Sequence, residues 1–183
     1  YFLHSLEPNN YAKSEKFNGF DFIKKMKNAG KIKHIGFSFH GNAELLDEIL
    51  TKYPDMELIQ LQINYIDWES DNVQSRKCYE VAMKHGKMVS IMEPVKGGSL
   101  ANIMDDAKKL FTDYNPNASV ASWAIRYAAS LDNILVVLSG MSNMEQLKDN
   151  MSYMKDFIPL NEQEQTVIKQ ATELIKNTIA IGC

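Results

Sequence analysis

Met88-Val89-Ser90-Ile91-Met92-Glu93-Pro94-Val95-Lys96-Gly97-Gly98 is an uncharged apolar run that stops at a Glu-Pro pair and opens into two glycines. The residue before a proline is driven out of helical geometry, so Met88 to Met92 reads as a strand ended by Glu93-Pro94, with Gly97 and Gly98 in the loop behind it. Upstream, Val73 to His85 reads as a helix stopped by Gly86. Downstream, Leu100 to Tyr114 and Val120 to Ser130 read as helices, the second capped by Ser119, and Ile134 to Leu138 is the most β-branched strand of the chain.

Toward the N-terminus the alternation continues. Leu58 to Ile63 is an apolar strand, Glu44 to Leu50 sets Leu45, Leu46, Ile49 and Leu50 on one helical face, and His34 to Phe39 is again strand-like. Phe20, Phe22, Ile23 and Met26 predict a helix over Asp21 to Lys27 with Gly30 as its stop. Glu7 to Asn18, with Pro8, Asn9 and Asn10, reads as a loop, and Tyr1 to Leu6 as a buried strand already under way. Two helices, Met144 to Phe157 and Asn161 to Lys176, finish the chain, the second opening on a capping-box sequence, Asn161-Glu162-Gln163-Glu164.

Five strands alternating with helices predict an α/β fold with parallel pairing and right-handed crossovers. Leu6-Glu7-Pro8-Asn9 follows the first strand in place of the glycine-rich turn of a dinucleotide-binding doubly wound sheet, which favours a barrel. An eight-stranded barrel typically takes ~250 residues, so five strands imply an incomplete one with two open parallel edges. The chain lacks an initiator Met and ends on Ile179-Ala180-Ile181-Gly182-Cys183, so residues are expected on either side of it.

The 183 residues are 45% hydrophobic and 23% charged, an ordinary globular composition with length for one domain. A formal charge of -3 and a pI near 5.8 give no basic patch for nucleic acid or an anionic membrane. Two cysteines, Cys78 and Cys183, make no disulfide framework, and a reducing cytoplasm is expected. No apolar run approaches the ~18 residues of a membrane span.

Barrel active sites sit at the carboxyl ends of the strands. Polar residues gather there: His4 and Ser5, Ser38 and His40, Gln62 and Asn64, Glu93 and Lys96 with Gly97 and Gly98, and Ser139 and Gly140 with Ser142 and Asn143. In this order they resemble the aldo-keto reductases, most closely the bacterial branch with a ferredoxin-like iron–sulfur tail. Leu3-His4-Ser5 resembles the fourth strand of that family, Ile35-Gly36-Phe37-Ser38-Phe39-His40 the fifth and Gln60-Leu61-Gln62-Ile63-Asn64-Tyr65 the sixth. Met92 to Gly98 resembles the seventh strand with its pyrophosphate loop, and Leu138-Ser139-Gly140-Met141-Ser142 through Asn150 the adenosine-binding segment after the eighth. The resemblance implies the C-terminal portion of one barrel domain: an incomplete TIM barrel of strands 4 to 8 with their helices and a C-terminal helix, over residues 1–183.

The resemblance further implies hydride transfer between NADP or NAD and a small carbonyl or alcohol substrate. His4 would hydrogen-bond the substrate oxygen, which gains negative charge in the transition state. Ser38 and Gln62 would hold the nicotinamide carboxamide, with Met92 under the ring, where the family often has a tyrosine. Backbone amides around Val95, Lys96, Gly97 and Gly98, with charge from Lys96, would meet the pyrophosphate. Gly140, Ser142, Gln146 and Asn150 would line the adenosine end, and no basic residue falls at Gly140 or Gln146 to select a phosphorylated ribose. Phe39 replaces an asparagine that many members carry after the serine.

The family's acid is a tyrosine activated by a lysine–aspartate pair, all three in the first half of the barrel, and no residue here matches them by position. A phenol at its ordinary pKa of ~10 is a poor acid at neutral pH, so the chain alone is expected to be inactive. Cys183 matches the first ligand of a Cys-x-x-Cys-x-x-Cys motif, which implies a 4Fe-4S cluster in a longer parent only. Open sheet edges imply self-association. Bland readings stand beside these: His40 as a solvated loop residue, Cys78 as a small buried hydrophobe, the ten methionines as core filler, and no role for His34 or His85. Two rival functions remain, a non-catalytic nucleotide-sensing or assembly module and a different barrel enzyme whose Lys96-Gly97-Gly98 loop binds a substrate phosphate.

Overall fold

The computed structural model describes residues 1–180, with side chains as far as Thr178. Five strands, β1 (Phe2–Leu6), β2 (Gly36–Phe39), β3 (Leu58–Gln62), β4 (Met88–Met92) and β5 (Ile134–Val137), form one sheet in chain order. The pairs β1–β2, β2–β3 and β3–β4 are parallel. Helices fill each crossover, as parallel neighbours require: α1 (Pro8–Lys16) and α2 (Gly19–Asn28), then α3 (Ala43–Lys52), α4 (Ser75–Lys84), and a 3-10 turn (Lys96–Ala101) with α5 (Asp105–Tyr114) and α6 (Val120–Ala129). Two more, α7 (Met144–Met154) and α8 (Glu162–Ala180), follow β5.

The chain divides into two compact units. The first (Tyr1–Ile63, Asp67–Met92 and Asn133–Val136) holds the sheet with α1 to α4. Register sets Phe37, Ile59 and Val89 abreast, with Leu61 beside Ile91. These five are buried, α4 packs on β3 and β4, and each such side chain contributes about 1.5–3 kcal/mol through lost apolar surface. The alternate positions, Ser38, Gln60 and Ser90 abreast and Gln62 beside Met92, share the opposite face. That polar row is where a site can form.

Gly36 makes the register possible. A Cβ there would lie 1.9 Å from the Leu58 carbonyl oxygen, so only glycine lets β2 and β3 approach this closely. Helices α2 and α4 both end in Schellman turns at left-handed glycines. Lys31 N donates to Met26 O and Lys87 N to Ala82 O, with Gly30 at φ 71 and Gly86 at φ 63.

Three sequence expectations are corrected. Glu7 to Asn18 is not a loop. Pro8 takes the first helical position, where its missing N–H is no loss, and the Glu7 carboxylate caps α1 by accepting from Asn9 N at 3.0 Å and Asn10 N at 2.9 Å. Strand β1 is not a buried strand: at the edge of the sheet it buries only Leu6, and Tyr1 is 66% exposed. Leu100 to Tyr114 is not one helix. Left-handed Gly97 and Gly98 kink the 3-10 segment, Asn102 leaves helical geometry at φ -129 and ψ 65, and α5 starts only at Asp105.

The second unit (Asn64–Ile66, Glu93–Asp132 and from Val137 on) has its own core, built on Phe111 and Trp123 stacked at 4.6 Å and packed by Tyr65, Leu100, Leu160, Ile168 and Ala171. The expected capping box opens α8: Glu164 N donates to Asn161 Oδ1 at 2.9 Å, and Asn161 N to Glu164 Oε2 at 3.0 Å. The same carboxylate receives the Arg126 guanidinium at 2.7 Å, which ties α8 to α6. Burial pushes the Glu164 carboxyl up, but Arg126 and the Asn161 amide outweigh it and hold it below the usual range.

Candidate functional site

In the first unit the site begins at a break in β1. Pairing with β2 runs Phe2↔Gly36 and Leu3↔Phe37, then slips before resuming at Leu6↔Phe39. The slip falls on His4-Ser5, and Ser5 sits at φ 54. A left-handed residue with a side chain costs about 1–2 kcal/mol, and such strain persists where surroundings enforce it. Here two side chains do so. Ser5 N donates to Ser38 Oγ at 2.6 Å, and Asn10 Nδ2 donates to Ser5 O at 2.9 Å from the first turn of α1.

His4 is exposed, and its Nδ1 lies 3.3 Å from the Oγ of buried Ser38. Two strand-end residues chosen from sequence are therefore neighbours. Gln62 donates through Nε2 to Asp67 Oδ2 at 3.0 Å, which holds the amide while committing one of its two N–H groups. Met92 takes a contact from Gln60 Nε2 at 3.4 Å on its sulfur, which restrains a side chain that is otherwise mobile. Gln62 and His40 also line a small cavity of about 220 Å³ with Phe39, Leu61, Ser75 and Cys78. Burial pushes the Cys78 thiol up to about 11, so it is a packing group rather than a nucleophile, as its helical placement suggests.

The second unit carries a groove of about 570 Å³, within the range of nucleotide sites. Val95, Gly97, Gly98, Gly140, Ser142, Gln146 and Asn150 all line it, over an apolar floor that includes Pro94, Ala121, Ile125 and Leu138. Glu93, Lys96, Gly97 and Gly98 all have positive φ, Gly98 at φ 92 and ψ -8, where only glycine is unstrained. Three amides of the turn bond inside it: Lys96 N to Glu93 O at 3.0 Å, Gly98 N to Val95 O at 3.0 Å and Leu100 N to Val95 O at 3.1 Å. On the facing wall Ser142 donates to Gln146 Oε1 through its N at 2.7 Å and its hydroxyl at 3.2 Å. Asn150 Nδ2 donates to Ser139 Oγ at 2.9 Å. These bonds preset the amide side chains.

Lys96 departs from its expected place. It lines a separate cleft of about 260 Å³ with Ile66, Leu100, Ile103, Met104 and Ile175. The groove's described lining contains the carboxylates of Glu93 and Asp149 and no lysine, arginine or histidine. The residues present still fit the diphosphate–adenosine end of a dinucleotide in size, in apolar floor and in amide groups. Cys183, the expected first cluster ligand, lies outside the described residues, among which no group of three or more His, Cys, Asp or Glu is placed to hold a metal.

Sequence reading placed Ser5 at the end of its strand and Gln60 in the sixth-strand motif but gave neither a task. Ser5 N bonds Ser38, Gln60 bonds Met92, Asp67 takes the Gln62 amide and Asn10 holds the Ser5 carbonyl, all through contacts set by register or by the first turn of a helix. Asn10 left a faint signal, as a polar residue shortly after Glu7-Pro8.

The aldo/keto reductase family profile matches residues 1–173. Among solved structures the chain is similar to the aldo-keto reductase AKR11C1 from Bacillus halodurans in its holo form, at 20% identity and TM-score 0.72, covering 93% of this chain and 57% of that one. It is also similar to an aldo/keto reductase from Klebsiella pneumoniae solved with NADP and acetate, at 16% identity and TM-score 0.69 over 96% of this chain and 58% of that one. A third, from Brucella melitensis, gives 20% identity and TM-score 0.68 over 93% and 60%. No curated protein matches significantly. The chain thus spans less than two thirds of the length of these structures, and at such identities they speak for the fold alone. With a family match across nearly the whole sequence and an α/β sheet of the matching kind, the chain belongs to the aldo/keto reductase family.

Proposed function

We propose that this chain is the cofactor-binding portion of an NAD(P)-dependent oxidoreductase that interconverts a small carbonyl and its alcohol. The supporting observation is the groove of the second unit, where seven residues chosen from sequence for diphosphate and adenosine line one cavity of nucleotide size. In the first unit, Ser38 and Gln62 hold the nicotinamide carboxamide, Met92 covers the ring, and His4 donates to the substrate oxygen. When bound, the cofactor supplies or accepts the hydride. The protein's part is to fix the ring, point a donor at the oxygen and keep water from competing. Lys96 is left out of diphosphate binding, because it lines another cleft.

On this reading the five strands are strands 4 to 8 of an incomplete barrel, and the tyrosine, lysine and aspartate of the family are matched by none of the 183 residues. The chain binds cofactor and does not turn over. A 4Fe-4S cluster is assigned only to a longer parent, with Cys183 as its first ligand. Exposed Leu135 and Val136 on β5 favour self-association along the sheet edge, and a cytoplasmic setting fits a sequence with only two cysteines. No described helix is long and apolar enough to cross a membrane.

The test is equilibrium titration of the 183-residue chain with NADH and NADPH, read by nicotinamide fluorescence, followed by an assay with a simple aldehyde. Saturable binding weakened by Gln146→Ala, without cofactor oxidation above a His4→Ala control, is expected. Binding of neither nucleotide overturns the cofactor reading, and oxidation above that control overturns the inactivity.

A further inference from the structure

We propose that Ser38 is a positioning residue for His4: its hydroxyl, held by the left-handed Ser5 amide, fixes the imidazole in the tautomer that carries its proton on Nε2. This rests on the reading of His4 as the donor to the substrate oxygen. A hydroxyl has one hydrogen and two lone pairs, whereas a backbone N–H can only donate. Ser5 N donates to Ser38 Oγ at 2.6 Å and so occupies a lone pair. The hydroxyl hydrogen stays available to donate, and His4 Nδ1, 3.3 Å away, is within its reach. A neutral imidazole that accepts at Nδ1 carries its hydrogen on Nε2.

Nε2–H is the useful group. It points a donor at a carbonyl oxygen, while the other tautomer would turn a lone pair toward the same oxygen and repel it. The arrangement is built rather than incidental, because the bulge at His4-Ser5 is clamped from both sides. Ser38, 2% exposed, takes the Ser5 amide, and Asn10 Nδ2 takes the Ser5 carbonyl at 2.9 Å. Asn10 is in turn placed by the Glu7 cap on its own amide at 2.9 Å. The second lone pair of Ser38 stays compatible with accepting from a carboxamide, so one hydroxyl serves both the cofactor and the histidine.

The test reads the tautomer directly, without cofactor or turnover, so its failure is separate from failure of the cofactor reading. Long-range proton–nitrogen correlation spectra of the ¹⁵N-labelled chain, recorded above the ordinary imidazole pKa of ~6.5, distinguish Nδ1–H from Nε2–H. A His4→Gln variant assigns the signal among the four histidines. Wild type is expected to hold His4 in the Nε2–H form, Ser38→Thr to retain it, and Ser38→Ala to shift the tautomer ratio about threefold or more toward Nδ1–H. Unchanged His34 and His85 signals report an intact fold. Should Ser38→Ala not fold, Ser38→Cys, a weaker donor of similar shape, is read the same way. A wild-type His4 in the Nδ1–H form, or a ratio indifferent to removal of the hydroxyl, overturns the proposal.

Discussion

Replacing Gly36 with alanine tests the strand register on which the polar face depends. The added Cβ would stand 1.9 Å from Leu58 O, 2.9 Å from Leu58 C and 3.1 Å from Phe2 Cε1. The first two are backbone atoms, so no rotamer change relieves them, and β2 must withdraw from β3 by about 1 Å to restore contact distance. Ladder hydrogen bonds over Gly36↔Leu58 to Ser38↔Gln60 would then pass beyond bonding range. Two or three such bonds at ~1 kcal/mol each, with overpacking of ~1–3 kcal/mol, give a loss of about 3–6 kcal/mol. Gly86→Ala is the matched control. It has open space around the added Cβ and only its φ of 63 to offend, so it should lose about 1–2 kcal/mol. Urea unfolding of the two variants separates the mechanisms. A Gly36→Ala variant no less stable than Gly86→Ala refutes the close approach of β2 and β3, and with it the placement of Ser38 beside Gln60.

Tyr65 Oη is buried without a hydrogen-bond partner among the described residues, and burial raises its phenol above the ordinary value. Tyr65→Phe should therefore raise stability by up to about 1 kcal/mol, and a clear drop in Tm would show that the hydroxyl has a partner. Glu164 is a carboxyl depressed in the folded state, so its contribution is present above the unfolded pKa near ~4.3 and disappears as pH falls through its lower folded value. Glu164→Gln should cost about 3 kcal/mol at neutral pH by leaving Arg126 unpaired, and should flatten the acid limb of stability against pH; an unchanged limb counts against the pair. With Glu93 and Asp149 in the groove and no cation in its described lining, the unphosphorylated nucleotide should bind about tenfold more tightly than its 2′-phosphate counterpart. Tighter binding of NADPH in the same titration would contradict that electrostatic account.

The sequence made the strand–helix alternation plain because its signals are local. Met88 to Met92 and Leu58 to Gln62 stand between a helix stop and a turn, and both appear within a residue of the expected bounds. Helix α1 was illegible because Pro8-Asn9-Asn10 has turn composition, and only the Glu7 carboxylate folding back on two amides makes it a helix start. The candidate site was legible as a set of strand ends. Its working order was not, since Ser5 N reaching Ser38 joins residues 33 apart and depends on a bulge that no periodicity announces. Lys96 lines another cleft, and its left-handed φ of 48 is a turn geometry that composition does not specify.

Mapping backbone amide shifts of the ¹⁵N-labelled chain on addition of NADH tests the central claim most directly. The account predicts a saturable set of shifts at Gly97, Gly98, Gly140, Ser142, Gln146 and Asn150 in the second unit and at His4, Ser38 and Gln62 in the first. Shifts confined to the Lys96 cleft around Ile103 and Ile175, or no saturable shifts at all, would contradict it.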